Sequence, residues 1–143
     1  MSRSRGDDGT ALVEFVWLGI ILLVPLVWIV LSVFEVQRGA LAVGSAARSA
    51  ARAFALADTD AAGEANARAA IRQALDDQGG DDRAFRFDIR CGSADCHRTG
   101  AVITVQVWTR VDLPLLPGIL GGDSPSFALD STHTVPVGQF RDL

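Results

Sequence analysis

From Phe15 to Phe34 the chain runs for twenty residues without a charge, and the residue immediately before that run is a glutamate, Glu14. Wound as a helix at about 1.5 Å per residue, such a stretch crosses the roughly 30 Å hydrocarbon core of a bilayer. Glu14 therefore needs a reason to be there. An ionised carboxylate carried to mid-membrane costs on the order of 2.5 kcal/mol or more, and less near the interface, so such groups are usually paired or functional. The run does not read as a secretory signal peptide, whose apolar stretch is shorter and is followed by small residues at the cleavage site. The only short polar leader, Met1 to Gly9, precedes the apolar residues.

Beyond the apolar run the hydropathy pattern changes twice. Ala40, Val43, Ala47, Ala50 or Ala51, and Phe54 recur at helical spacing, with Arg38, Ser45, Arg48 and Arg52 at polar positions, so the same helix is expected to run from about residue 11 to residue 57. So many alanines make a thin helix that another surface can approach closely, and Gly44, Ala47 and Ala51 form its tightest face, for the chain's own core or for a neighbouring subunit. Pro25 lies inside this helix, where it removes a hydrogen bond and produces either a mild bend or a locally loosened turn. Asp58-Thr59-Asp60 can cap a second helix over about residues 61–78 that ends at Gly79-Gly80, with Ala67, Ala70 or Ala74, Ile71 and Leu75 on its apolar face. On its surface Glu64, Arg68 and Arg72 follow at four-residue intervals.

After Gly80 the period falls to two. Phe85, Phe87 and Ile89 alternate with Arg86, Asp88 and Arg90, and Ile103, Val105, Val107 and Val111 oppose Val102, Thr104, Gln106, Trp108 and Arg110. These segments predict an antiparallel hairpin across the Cys91 to Cys96 loop, and residues 127–137 supply a further strand. Between them residues 113–126, with Pro114, Pro117 and Pro125, predict a loop whose Leu115, Leu116, Ile119 and Leu120 either fold over the core or touch a membrane or a partner. The expected fold class is α+β: a long N-terminal transmembrane helix, a second helix and a three- or four-stranded antiparallel sheet.

The chemistry-bearing residues are few. There is no nucleotide loop, nucleophile elbow or paired-histidine motif, and with only His97 and His133 in the chain an enzyme, a cofactor and a small-molecule substrate are not expected. Asp76-Asp77 and Asp81-Asp82 lack the alternation of a calcium loop and read as helix-end polar residues. From Arg38 onward eleven arginines face thirteen acids, which is no basic surface for nucleic acid. All basic side chains are Arg, and Lys and Tyr are absent, a composition bias without mechanistic weight.

Orientation follows poorly from charge, since Arg3 and Arg5 are offset by Asp7 and Asp8 while Arg38 and Arg48 lie near the far end of the run. The two cysteines break the tie. Cys91 and Cys96, an even count at short spacing, suit a disulfide outside the cytoplasm; the rival is a metal site with His97, which lacks further obvious ligands. The N-terminus is accordingly expected in the cytoplasm and the C-terminal domain outside.

The order Gly9, four residues, Glu14, Phe15 and then the apolar block resembles the class III signal of type IV pilins. Continued into the Ala/Arg-rich stretch Gly44 to Ala53, the pattern resembles most the TadE-like minor pilins of the bacterial tight-adherence (Flp) pilus system, over roughly residues 6–57; Thr134 to Arg141 resembles family members only loosely. The resemblance implies a leader of residues 1–9 cut by a prepilin peptidase between Gly9 and Thr10, a helix of residues 10–57 with its membrane part at about 11–34, and an outward domain of residues 58–143. It implies further that Glu14, fifth in the mature chain, sets subunit register with Phe15 beside it. The implied partners are membrane lipid before assembly, then other pilin-like subunits and the pilus assembly platform, and the implied role is that of a structural subunit of a surface fibre for cell adhesion. A minor rather than a major subunit is implied by the sheet domain. The alternative is an uncleaved single-pass envelope scaffold or sensor in which Glu14 snorkels to water.

Overall fold

The computed structural model describes residues 8–80, 82–113 and 125–138: two helices, α1 (Asp8–Ala55) and α2 (Asp60–Asp76), followed by three strands, β1 (Phe85–Cys91), β2 (Val102–Asp112) and β3 (Ser126–Pro136). The α+β class, the long apolar N-terminal helix and the antiparallel sheet are as expected, and the sheet has three strands among the described residues. α1 has 48 residues, about 72 Å of helix, and runs without interruption through Pro25. It begins three residues before the expected start and stops two before the expected end, and the chain then turns through Leu56 and Ala57.

The C-terminal half of α1 buries one stripe. Ala42, Val43, Ala46, Ala47, Ala50, Ala51 and Phe54 are all at most 3% exposed, and Gly39 continues the stripe toward the apolar N-terminal half. Ala40, expected on this face, is exposed instead. The stripe steps back from Val43 by four residues to Gly39, which leaves Ala40 about 100° around the helix.

α2 starts where Thr59, in extended conformation, accepts the Ala62 N–H on its hydroxyl oxygen at 3.2 Å. A cap of this kind contributes about 1 kcal/mol. The helix closes at Gly79, whose φ of 75° only glycine adopts without strain, while the Gly80 N–H reaches back to the Leu75 carbonyl at 2.9 Å. Gly63, Ala67, Ile71 and Leu75 form its buried edge, which packs on α1.

The sheet is a meander in the order β1-β2-β3, with Phe85 opposite Thr109 and Thr109 opposite Leu129. Ile103, Val105, Val107 and Val111 are buried on the face toward α1, as the alternation predicts, each worth roughly 1.5–3 kcal/mol of burial. Thr109 shares that face and satisfies its hydroxyl by donating to the Ala84 carbonyl at 3.0 Å. The Leu113 N–H bonds the Pro125 carbonyl at 3.0 Å, which closes the base of the connection between β2 and β3. Leu115, Leu116, Ile119 and Leu120 lie outside the described residues, as does Asp81.

Two glycines set how closely the elements approach. A Cβ at Gly39 would overlap the Val111 and Leu129 side chains, and one at Gly63 would lie 2.7 Å from the Phe54 ring. At Gly44, by contrast, the nearest atoms would be 3.8 and 4.0 Å away. Alanine in a helix is ordinarily better than glycine by up to about 1 kcal/mol. Overpacking costs about 1–3 kcal/mol. Gly39→Ala and Gly63→Ala are therefore expected to lower the thermal unfolding temperature in detergent, whereas Gly44→Ala raises it or leaves it unchanged; the same sign at all three positions would contradict this packing.

Candidate functional site

The residues singled out from the sequence fall into two places. Gly9 and Thr10 lie in the first turn of α1, with Glu14 and Phe15 one turn further on. Thr10, Glu14 and Phe15 are exposed, Phe15 to 76%, and Glu14 has no hydrogen-bond or ion-pair partner among the described residues. The large apolar side chains from Leu12 to Phe34 are almost all exposed, and the mean hydropathy of the most apolar stretch is 2.7. A helix this long and apolar is able to cross a membrane. Within it Ser32 hides its hydroxyl by donating to the Trp28 carbonyl at 2.8 Å, a way to carry a polar group in an apolar helix. At the end of the run the half-buried Glu35 and the exposed Arg38 approach to 3.8 Å.

The second place lies at the end of the domain remote from the apolar run. Cys91 and Cys96 form a disulfide, with a Cα separation of 5.3 Å, at the end of β1. Both sulfurs are thus bonded to each other and neither is a thiolate ligand. His97, the third member of the rival metal reading, stacks on the Phe54 ring with centroids 5.2 Å apart and brings Nε2 to 3.0 Å from Asp60 Oδ1. That contact has ion-pair distance without hydrogen-bond direction, and neither ring nitrogen completes a hydrogen bond. No three His, Cys, Asp or Glu side chains among the described residues are grouped to hold a metal ion. Opening the disulfide by Cys91→Ser with Cys96→Ser frees a short loop, with an expected loss of about 2 kcal/mol by the chain-entropy relation. Thermal unfolding of the variant against the parent measures it. Mass shift on alkylation with and without reductant reports the bond itself in native material.

The sites do not converge. Some forty residues of helix, about 60 Å, separate Glu14 from Phe54, which holds the N-terminal residues and the cysteine loop far apart.

The sequence pattern missed a trough between α2 and β1. α1 lies against β2 and β3, while α2 stands off from β1, whose inward side chains reach the margin of the core, and sends Arg68 to 4.8 Å above the Phe87 ring and Arg72 to 6.0 Å above the Phe85 ring. Arg68 also keeps the expected pair with Glu64 at 3.2 Å. Phe85, Phe87 and Ile89 are consequently only half-buried although they face inward. Cavities open along this line, among them one of about 210 Å³ at Leu75, Arg83 and Phe85, one of about 330 Å³ at Phe54, Phe87 and Cys96, and one of about 470 Å³ at Arg68, Arg72 and Phe85. Period-two alternation shows that these side chains face the core; it carries no information on whether a helix covers them.

No family model, curated protein or solved structure matches the chain.

Proposed function

We propose that this chain is a structural subunit of pilin type, a TadE-like minor pilin of a tight-adherence pilus system, made as a membrane-anchored precursor and cut by a prepilin peptidase after Gly9. The observation that carries the reading is the carboxylate of Glu14, without a partner among the described residues, at the head of an uninterrupted apolar helix. In hydrocarbon that charge requires a cation. Cleavage before Thr10 creates one, the new α-amine, on the same or an adjacent subunit. The apolar surface of α1 then serves twice, first against lipid and afterwards against the helices of other subunits. The disulfide supports an outward domain, because such bonds persist in oxidising compartments.

Intact mass of the protein from its native host tests the reading. A mature form that begins at Thr10 supports it, and retention of residues 1–9 returns the chain to the class of uncleaved membrane scaffolds. Deletion of the chain with loss of surface fibres identifies the assembly it serves.

A further inference from the structure

We infer that neighbouring copies in the membrane join through their sheet edges, β1 of one copy beside β3 of the next. The inference rests on the membrane-anchored part of the reading above.

β1 and β3 are the two edges of the meander among the described residues, so each presents a row of unpaired backbone groups. They run in the same direction, both antiparallel to β2. They also follow the anchor. Gly39 lies against Leu129 and Gly44 faces Ser131, so β3 ascends alongside α1 as both leave the membrane half. Two copies anchored with the same orientation therefore offer β1 and β3 to each other as parallel strands.

The side chains fix the register. Arg86, Trp108 and Asp130 occupy one level of the sheet and point to the face away from α1. Arg86 has no ion pair among the described residues and rests over the Trp108 ring at 5.8 Å. Asp130 has no cation either and accepts only the Gln106 amide at 3.3 Å. One edge thus carries an uncompensated cation and the other an uncompensated anion at equal height. A copy displaced sideways without axial shift, as a common membrane plane requires, brings its Asp130 beside Arg86. At the next levels Asp88 meets Thr132 and Arg90 meets Thr134, with no like charges opposed. A slip that sets Asp130 beside Asp88 is repulsive.

The test uses two full-length chains, one carrying Arg86→Cys and one carrying Asp130→Cys, differently tagged and co-expressed in the native membrane. Adjacent strands lie about 4.8 Å apart, within disulfide reach, whereas residues 86 and 130 of one chain are two strands apart and beyond it. The native cysteines are already bonded to each other and do not compete. Mild oxidation is expected to give the mixed dimer and neither homodimer. No mixed dimer, a dimer of the Arg86→Cys chain with itself, or cross-linking to a different membrane protein in place of the copy would each overturn the inference. Asp88→Cys with Thr132→Cys repeats the experiment one level further along if a variant fails to fold. In this second pair, Arg86→Asp is expected to lower the mixed dimer and Asp130→Arg in both chains to restore it. Intact mass from the same sample separates the two ideas: mixed dimers of uncleaved chains keep the edge contact and remove the pilin reading, while cleavage without mixed dimers does the reverse.

Discussion

Glu14→Ala is expected to leave the chain anchored and cut after Gly9, and to remove it from fibres. Alanine in place of an exposed carboxylate makes the helix easier to insert, so membrane retention should not fall. What disappears is the attraction between the carboxylate and a freed α-amine. Two unit charges about 4 Å apart in surroundings of effective dielectric about 20 attract by about 4 kcal/mol. An affinity difference of that size is on the order of a thousandfold. Glu14→Gln should fail similarly, since it keeps the shape and the hydrogen bonding but not the charge, whereas Glu14→Asp should retain part of the function. The measurement is the ratio of chain in sheared surface fibres to chain in the membrane, with intact mass to verify processing. Normal incorporation of the alanine variant would show that Glu14 only snorkels to water, as in an uncleaved anchor.

The elements that could be read from sequence are those governed by a local period. The apolar run from Phe15 to Phe34 announces a helix by length and composition, and the alternation from Phe85 to Ile89 announces a strand whose register with β2 keeps every apolar residue on one face. Thr59 and Gly79 act as punctuation because their local chemistry sets the backbone whatever packs around them. What escaped depends on a partner distant in sequence. Gly39 belongs to the buried stripe because Val111 and Leu129 approach it, and nothing around residue 39 encodes that approach. Periodicity alone therefore placed Ala40 on the wrong side. Arg72 is exposed, as a surface charge series predicts, and its position over the Phe85 ring is set by where β1 runs, which the series does not encode. His97 reads as the rival metal ligand because it follows Cys96; its use as a flat partner for Phe54 depends on where α1 ends. The candidate site divides in the same way. Glu14 was visible because it violates a local rule, whereas the α2–β1 trough is a property of how far two elements stand apart.

Phe54→Ala is expected to have the largest effect on stability of any single substitution in the core that α1 shares with α2 and the sheet. The ring is 3% exposed and joins three pieces of structure: it ends the buried stripe of α1, fills the notch that Gly63 leaves in α2, and stacks on His97 beside the disulfide loop. Phenylalanine to alanine in a packed interior costs about 3–5 kcal/mol. Against a typical domain stability of about 5–15 kcal/mol that is a large share, so a marked fall in unfolding temperature and faster proteolysis near residues 56–60 are expected. A double-mutant cycle makes the argument specific. Gly63→Ala destabilises the parent chain because its Cβ meets the ring, but in the Phe54→Ala background the ring is absent and the same substitution should become neutral or stabilising through helix propensity. Additive losses in the cycle would mean that Phe54 and Gly63 do not meet, and that the corner between α1 and α2 is held by something other than this ring.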